Sequence, residues 1–258
     1  MNYRYFIELQ YHGKNYRGWQ IQPDAPTVQA ELNEKLTILL EEEIETVGAG
    51  RTDTGVHAVH FVAHFDSTKD LEKREKQLVK KLNGFLPEDI FVLRIVKVEN
   101  HHHARFDALS RTYKYFIATR KDVFRQDYSW LIHNMLDIDK MNAASVLLKE
   151  YKDFTSFSKL HTDVKTNICH IQSAIWESKN HMLVFTIRAD RFLRNMVRAL
   201  VGTLVQVGRE KISLEQFRDI IEAKNRSDAG ESAPAKGLFL YRIEYPDTLL
   251  PPFVHTFF

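Results

Sequence analysis

Along residues 3–11 the apolar Tyr5, Ile7 and Leu9 alternate with Arg4, Glu8 and Gln10, a period of two that predicts a strand. A loop marked by glycine and proline runs from Gly13 to Pro26. Thr27 then caps a helix in which Val28, Leu32, Leu36 and Leu39 recur at helical spacing. Short strands are predicted over residues 45–49 and 59–65. Residues 70–85 return to helix, with Leu71, Leu78 and Leu82 on one face and lysines on the other, and residues 90–98 alternate as a strand. The order β-α-β-β-α-β is that of a ferredoxin-like unit. The second half repeats it: a strand over 112–119, a helix over 139–151, and strands over 166–177 and 182–189 joined at the polar turn 178–181. Helices over 192–207 and 213–223 and a strand over 238–245 complete the pattern. The expected fold is α/β of the α+β kind, with two pseudo-duplicated ferredoxin-like halves and largely antiparallel sheets side by side. The halves are expected at 1–106 and 107–258, with a tail after Tyr245 wrapping the surface.

Composition changes this picture little. The 258 residues are 44% hydrophobic and 27% charged, which excludes a disordered, collagen-like or coiled-coil chain. Lysine and arginine number 36 against 34 acidic residues, so a nucleic-acid partner must be met by a local basic patch. A single cysteine, Cys169, allows no internal disulfide, and placed within a strand it is expected to be an inert buried thiol. The first residues lack the apolar core of a signal peptide and no apolar run is long enough to span a bilayer, so the expectation is a soluble, cytoplasmic protein.

The densest chemical signal is Gly48-Ala49-Gly50-Arg51-Thr52-Asp53-Thr54-Gly55-Val56-His57-Ala58, an Arg-Thr-Asp triplet flanked by glycines between predicted strands. Glycine permits the positive φ and close backbone approach of a tight, ligand-facing loop. An aspartate held beside an arginine can stay ionised as nucleophile or base; the plainer reading is a surface turn. A dinucleotide fingerprint fails, because Asp53 stands at its third glycine and no helix follows. On the helix expected after Asp190, Arg191, Arg194 and Arg198 fall on one face opposite Leu193, Met196, Val197, Leu200, Val201 and Leu204. Arg188 and Arg209 extend the charge beyond it. Such a row matches phosphates, or one member enters a buried pair with a carboxylate; otherwise it is a solvated face. In Ser110-Arg111-Thr112-Tyr113-Lys114-Tyr115, basic residues interleave with aromatics that can stack an unpaired base or simply pack in the core. His101-His102-His103 reads as a turn rather than a metal site, since consecutive histidines cannot converge on one ion from a strand.

Taken together these blocks resemble the TruA family of tRNA pseudouridine synthases. The resemblance rests on Tyr11-His12-Gly13, Tyr16-Arg17-Gly18-Trp19-Gln20, Gly50 to Ala58, and His103-Ala104-Arg105-Phe106. It continues through Arg111 to Tyr115, Asp153-Phe154-Thr155-Ser156-Phe157, Phe192 to Arg198 and Lys236 to Leu240, in the family's order and over nearly the whole chain. It implies isomerisation of uridine to pseudouridine in a tRNA anticodon stem-loop, at nucleotides 38 to 40, by a homodimer needing no metal, ATP or nicotinamide cofactor. By the same resemblance Asp53 is the essential carboxylate and Arg198 its partner. Tyr113 stacks on the target base, Leu238 lines the pocket and Arg51 fills the gap left by the flipped nucleotide. Arg191, Arg194 and His57 are expected among the substrate-binding residues. Thr54 replaces the alanine common at that place in the family.

Two rivals follow from the residues alone. A non-catalytic RNA-binding module would keep the arginines and Tyr113 but have no use for Asp53. A glycoside hydrolase would require a second carboxylate about 5–10 Å from the first, and no motif supplies one.

Overall fold

The computed structural model describes residues 2–159 and 166–252. The chain divides into two compact units: residues up to Ser110 together with the chain from Tyr241 onward, and Arg111–Leu240. Residues 241–252 thus group with the first unit.

In the first unit β1 (Tyr3–Tyr11) is followed by α1 (Val28–Leu40), β2 (Val47–Gly48), β3 (His57–Ser67), α2 (Glu75–Phe85) and β4 (Ile90–Val98). The strands lie in the order β4-β1-β3, with β2 also paired to β3, and these pairings are all antiparallel. The alternation in β1 fixes its register: Tyr5, Ile7 and Leu9 stand opposite Phe65, Ala63 and Phe61, and all six are buried. Thr27 caps α1 by accepting a hydrogen bond from the Ala30 N–H at 3.3 Å. The second face of β1 is not wet as simple alternation suggests, since Phe6 and Glu8 are buried too. The segment after residue 244 explains this: Tyr245 packs edge-on against Phe6 at 5.6 Å, Leu250 is buried, and Arg94 donates to the Pro251 carbonyl. The expected tail is therefore a strap as far as residue 252; its remainder lies outside the described residues.

The second unit runs from β5 (Ser110–Ala118, from its second residue) through β6 (Trp130–Leu131), α3 (Ile138–Leu147), β7 (Ile171–Lys179), β8 (Met182–Ala189), α4 (Met196–Gly208) and α5 (Leu214–Glu222) into β9 (Leu238–Glu244), of which it includes residues 238–240. Strands β5, β8 and β7 are adjacent and antiparallel, and the short β6 runs parallel to β5. The turn between β7 and β8 uses Asn180 and His181 at φ 50° and 61°, the left-handed pair that suits a two-residue hairpin. The fold is mixed α+β and mostly antiparallel. Ser213 caps α5 in a full capping box with Gln216. Helix α4 departs from the expected bounds. It starts at Met196 rather than 192, because Asn195 adopts a left-handed φ of 66° that cannot belong to a right-handed helix. Eleven of its thirteen residues are buried, as in a core helix. Among the described residues no helix is long and apolar enough to cross a membrane.

Candidate active site

Asp53 lies on the loop between β2 and β3, half-buried, with Arg51 and Thr54 exposed on either side. The loop is set from below by the segment following β1. The Thr52 carbonyl accepts the Trp19 N–H at 3.3 Å, the Tyr16 carbonyl accepts the Gly55 N–H at 3.3 Å, and the Asp53 carbonyl closes a turn on the Val56 N–H at 3.1 Å. Thr52 is buried and its hydroxyl shares a 2.9 Å hydrogen bond with the Tyr11 hydroxyl. These bonds require close approach. A Cβ on Gly18, whose φ is +92°, would stand 2.2 Å from the Thr52 carbonyl oxygen, and one on Gly13 2.0 Å from that of Val56. Trp19 is buried and stacked on Phe61 at 4.2 Å, giving the cradle an apolar floor. Tyr16 is anchored in turn: its hydroxyl donates to Asp89 at 2.5 Å, and burial with that carboxylate raises its pKa well above the usual phenol range. The blocks at 11–13 and 16–20, which carried no role in the sequence, thus form the support of the Asp53 loop. Their signal was two glycines amid aromatics ahead of a helix cap.

His57 is buried, its Nδ1 accepts the Gly13 N–H at 3.1 Å, and its ring lies 4.4 Å from that of His12. From that place it helps to support the loop.

In the second unit Tyr113 is half-buried on β5, edge-on to Phe192 at 5.2 Å. Arg111 donates to the Asp190 carbonyl at 2.8 Å. The Asp190 carboxylate accepts the N–H groups of His170 and Arg191 and contacts the His170 ring at 2.9 Å. Burial alone would raise its pKa, but these donors hold it below the usual carboxylate range. Arg191 and Arg194 precede α4, so they share no helix face with Arg198; the expected row at i, i+3 and i+7 does not form. Arg194 is exposed, while Arg198 is half-buried with Nε donating to the Ala233 carbonyl at 2.7 Å. Leu238 is buried at the start of β9. Cys169 precedes β7 rather than lying within a strand, and burial pushes its thiol up to about 12, an inert state.

A separate cleft of about 470 Å³ in the first unit is lined by Glu8, His60, Arg94, Tyr241 and Arg242 among others, and not by Asp53. Its buried carboxylate has a structural use. Glu8 accepts from Arg94 and from His60 Nε2 at 2.9 Å, while His60 Nδ1 accepts the Ile243 N–H at 3.1 Å. Among the described residues no group of three or more His, Cys, Asp or Glu side chains is placed to hold a metal ion.

With this geometry in place, comparison with known proteins is informative. A family model described as tRNA pseudouridine synthase matches residues 146–246. A tRNA pseudouridine synthase A of Parabacteroides distasonis is 54% identical over 248 residues, covering 96% of this chain and 98% of the relative. The protein of that name from Porphyromonas gingivalis is 50% identical over 95% of this chain and 98% of its own length. One from Francisella tularensis subsp. novicida is 39% identical over 94% of both.

Proposed function

The chain belongs to the tRNA pseudouridine synthase family, and from that premise we propose that this isomerase acts on uridines of the anticodon stem-loop, at positions 38 to 40, with Asp53 as its catalytic carboxylate. The conversion of uridine to pseudouridine in tRNA moves the C1′ bond from N1 to C5 of the base and exchanges the C5 proton for one at N1. Atoms and electrons balance without an external oxidant, reductant or phosphoryl donor. The reaction asks for an anionic group at the glycosidic centre and a means of holding the base while both bonds are broken. The observation that carries Asp53 is its setting: a half-buried carboxylate on a loop fixed through backbone bonds to Trp19 and Tyr16, with Arg51 and Thr54 exposed nearby. A chemistry loop must be held to a fraction of an ångström, and this support does that.

The remaining roles enter the proposal from the family resemblance. Tyr113 stacks on the target base, Arg198 sets the charge state of the carboxylate, Leu238 lines the base pocket, and Arg51 fills the space of the flipped nucleotide. Flipping loses a few kcal/mol of stacking and pairing, so replacement contacts of this kind are needed. Arg191 and Arg194 serve RNA phosphates, and His57 serves the loop from beneath. The pseudo-duplicated ferredoxin-like arrangement belongs to the same reading: β4-β1-β3-β2 is the ferredoxin-like strand order, and β9-β5-β8-β7 repeats it. So does a homodimer working in the cytoplasm without a cofactor.

The test is Asp53→Asn, which keeps the shape and removes the charge. Pseudouridine formation in tRNA is expected to fall more than about 100-fold with tRNA affinity largely retained. Turnover by the purified variant above a hundredth of wild type excludes Asp53 as the essential group.

A further inference from the structure

The block His103-Ala104-Arg105-Phe106 is part of the family resemblance, yet neither the sequence nor the proposed reaction gives it work. The structure explains two of its members. Ala104 is fully buried; its N–H donates to His64 Nδ1 at 3.2 Å and its carbonyl accepts the Tyr245 hydroxyl. The first bond needs a neutral His64. Burial, with the charges of Arg4 and His103 nearby, holds that imidazole down to about 4, so its Nδ1 lone pair stays available at neutral pH. The His103 carbonyl accepts the N–H groups of Phe106 and Asp107 at 3.1 and 3.0 Å. The Asp107 carboxylate closes the turn on the His103 N–H at 3.0 Å and on His102 Nδ1 at 2.7 Å.

Phe106 has no such structural employment. Its ring is 73% exposed, more than any other large apolar side chain described in the first unit, although the backbone beneath it is pinned on both sides. One face neighbours His103, ring centroids 4.3 Å apart, and the Arg105 guanidinium carbon lies 5.7 Å from the ring centroid. Its printed ring neighbours are thus a histidine and an arginine, and the Asp107 carboxylate of the same turn is engaged by His102. An exposed aromatic ring on a rigid turn, with a cation at its side, suits a flat base joined to a phosphate. Because the turn is ordered in advance, little conformational freedom is lost on binding.

We propose that Phe106 is a stacking platform for an unpaired base of the RNA substrate, with Arg105 beside it for the adjoining phosphate. This rests on the reading of the chain as a tRNA-modifying enzyme and adds to it a contact outside the Asp53 loop. The experiment titrates substrate tRNA with the full-length wild type, Phe106→Ala and Phe106→Trp, beside sedimentation equilibrium and thermal unfolding of each. Phe106→Ala is expected to weaken tRNA binding by about ten-fold, the scale of one lost base–aromatic stack, and Phe106→Trp to stay within about two-fold of wild type. Unfolding temperature and association state should be unchanged in both. Unaltered affinity in Phe106→Ala overturns the proposal. So does a loss of affinity matched by a loss of self-association, which assigns the ring to a contact between copies, or by a marked fall in unfolding temperature, which assigns it to folding. Wild-type protein that neither binds nor modifies tRNA overturns the parent reading first, and is seen before any variant is compared.

Discussion

The Asp53 loop of the first unit and the arginine segment of the second are held by different means. The loop is fixed through its main chain, by bonds from Trp19, Tyr16 and Gly55 and by two glycine positions that leave no room for a Cβ. In the arginine segment Arg194 is exposed and Arg198 is half-buried, its side-chain Nε donating to the Ala233 carbonyl. A group that acts on reacting atoms must be placed through many weak constraints at once, since a small displacement is costly in rate. A group that meets a phosphate works through charge and tolerates motion. The contrast is between chemistry held by backbone and affinity supplied by side chains.

Arg198 is the place to break that contrast, because it sits in the looser region while the resemblance ties it to the carboxylate. Arg198→Met is expected to lower the single-turnover rate at saturating enzyme by about 100-fold with tRNA affinity nearly intact. A variant that instead binds more weakly and reaches the full saturated rate makes Arg198 another phosphate contact, and the division between regions would then be complete.

Gly18→Ala sharpens the other side. With φ at +92° and the Thr52 carbonyl in the way, the substitution should destabilise the protein by about 2–4 kcal/mol and slow catalysis, as read by denaturant unfolding and single-turnover kinetics. Gly50 is the internal control. A Cβ there meets nothing within 4 Å, so Gly50→Ala should change stability by no more than about 0.5 kcal/mol. Equal losses from the two substitutions would show that the cradle does not set the loop.

The smallest expected effect is that of Arg194→Ala. Binding titrations at several salt concentrations should show a few-fold loss of affinity and a salt slope shallower by nearly one counterion, with little change in the saturated rate. An unchanged slope would remove Arg194 from the RNA surface.

Periodicity alone determined most of the elements of this protein. The bounds of β1, β4 and β8 and the capped starts of α1 and α5 follow from local pattern and local capping chemistry, which act within a few residues and leave their mark in the sequence. The Asp53 loop was legible for the same reason, since its glycines and its Arg-Thr-Asp triplet are contiguous. Tertiary structure decided the rest. Helical spacing placed Arg191, Arg194 and Arg198 on one face, but a left-handed Asn195, donating through its side chain to Ser232, starts the helix one turn later. Glu8 reads as a solvent-facing strand residue and is buried because a segment more than two hundred residues away lies over it. His57 is expected among the substrate-binding residues and is buried, its Nδ1 accepting the N–H of Gly13, 44 positions earlier. In each case the deciding contact joins residues distant in sequence, and no window on the chain contains both partners.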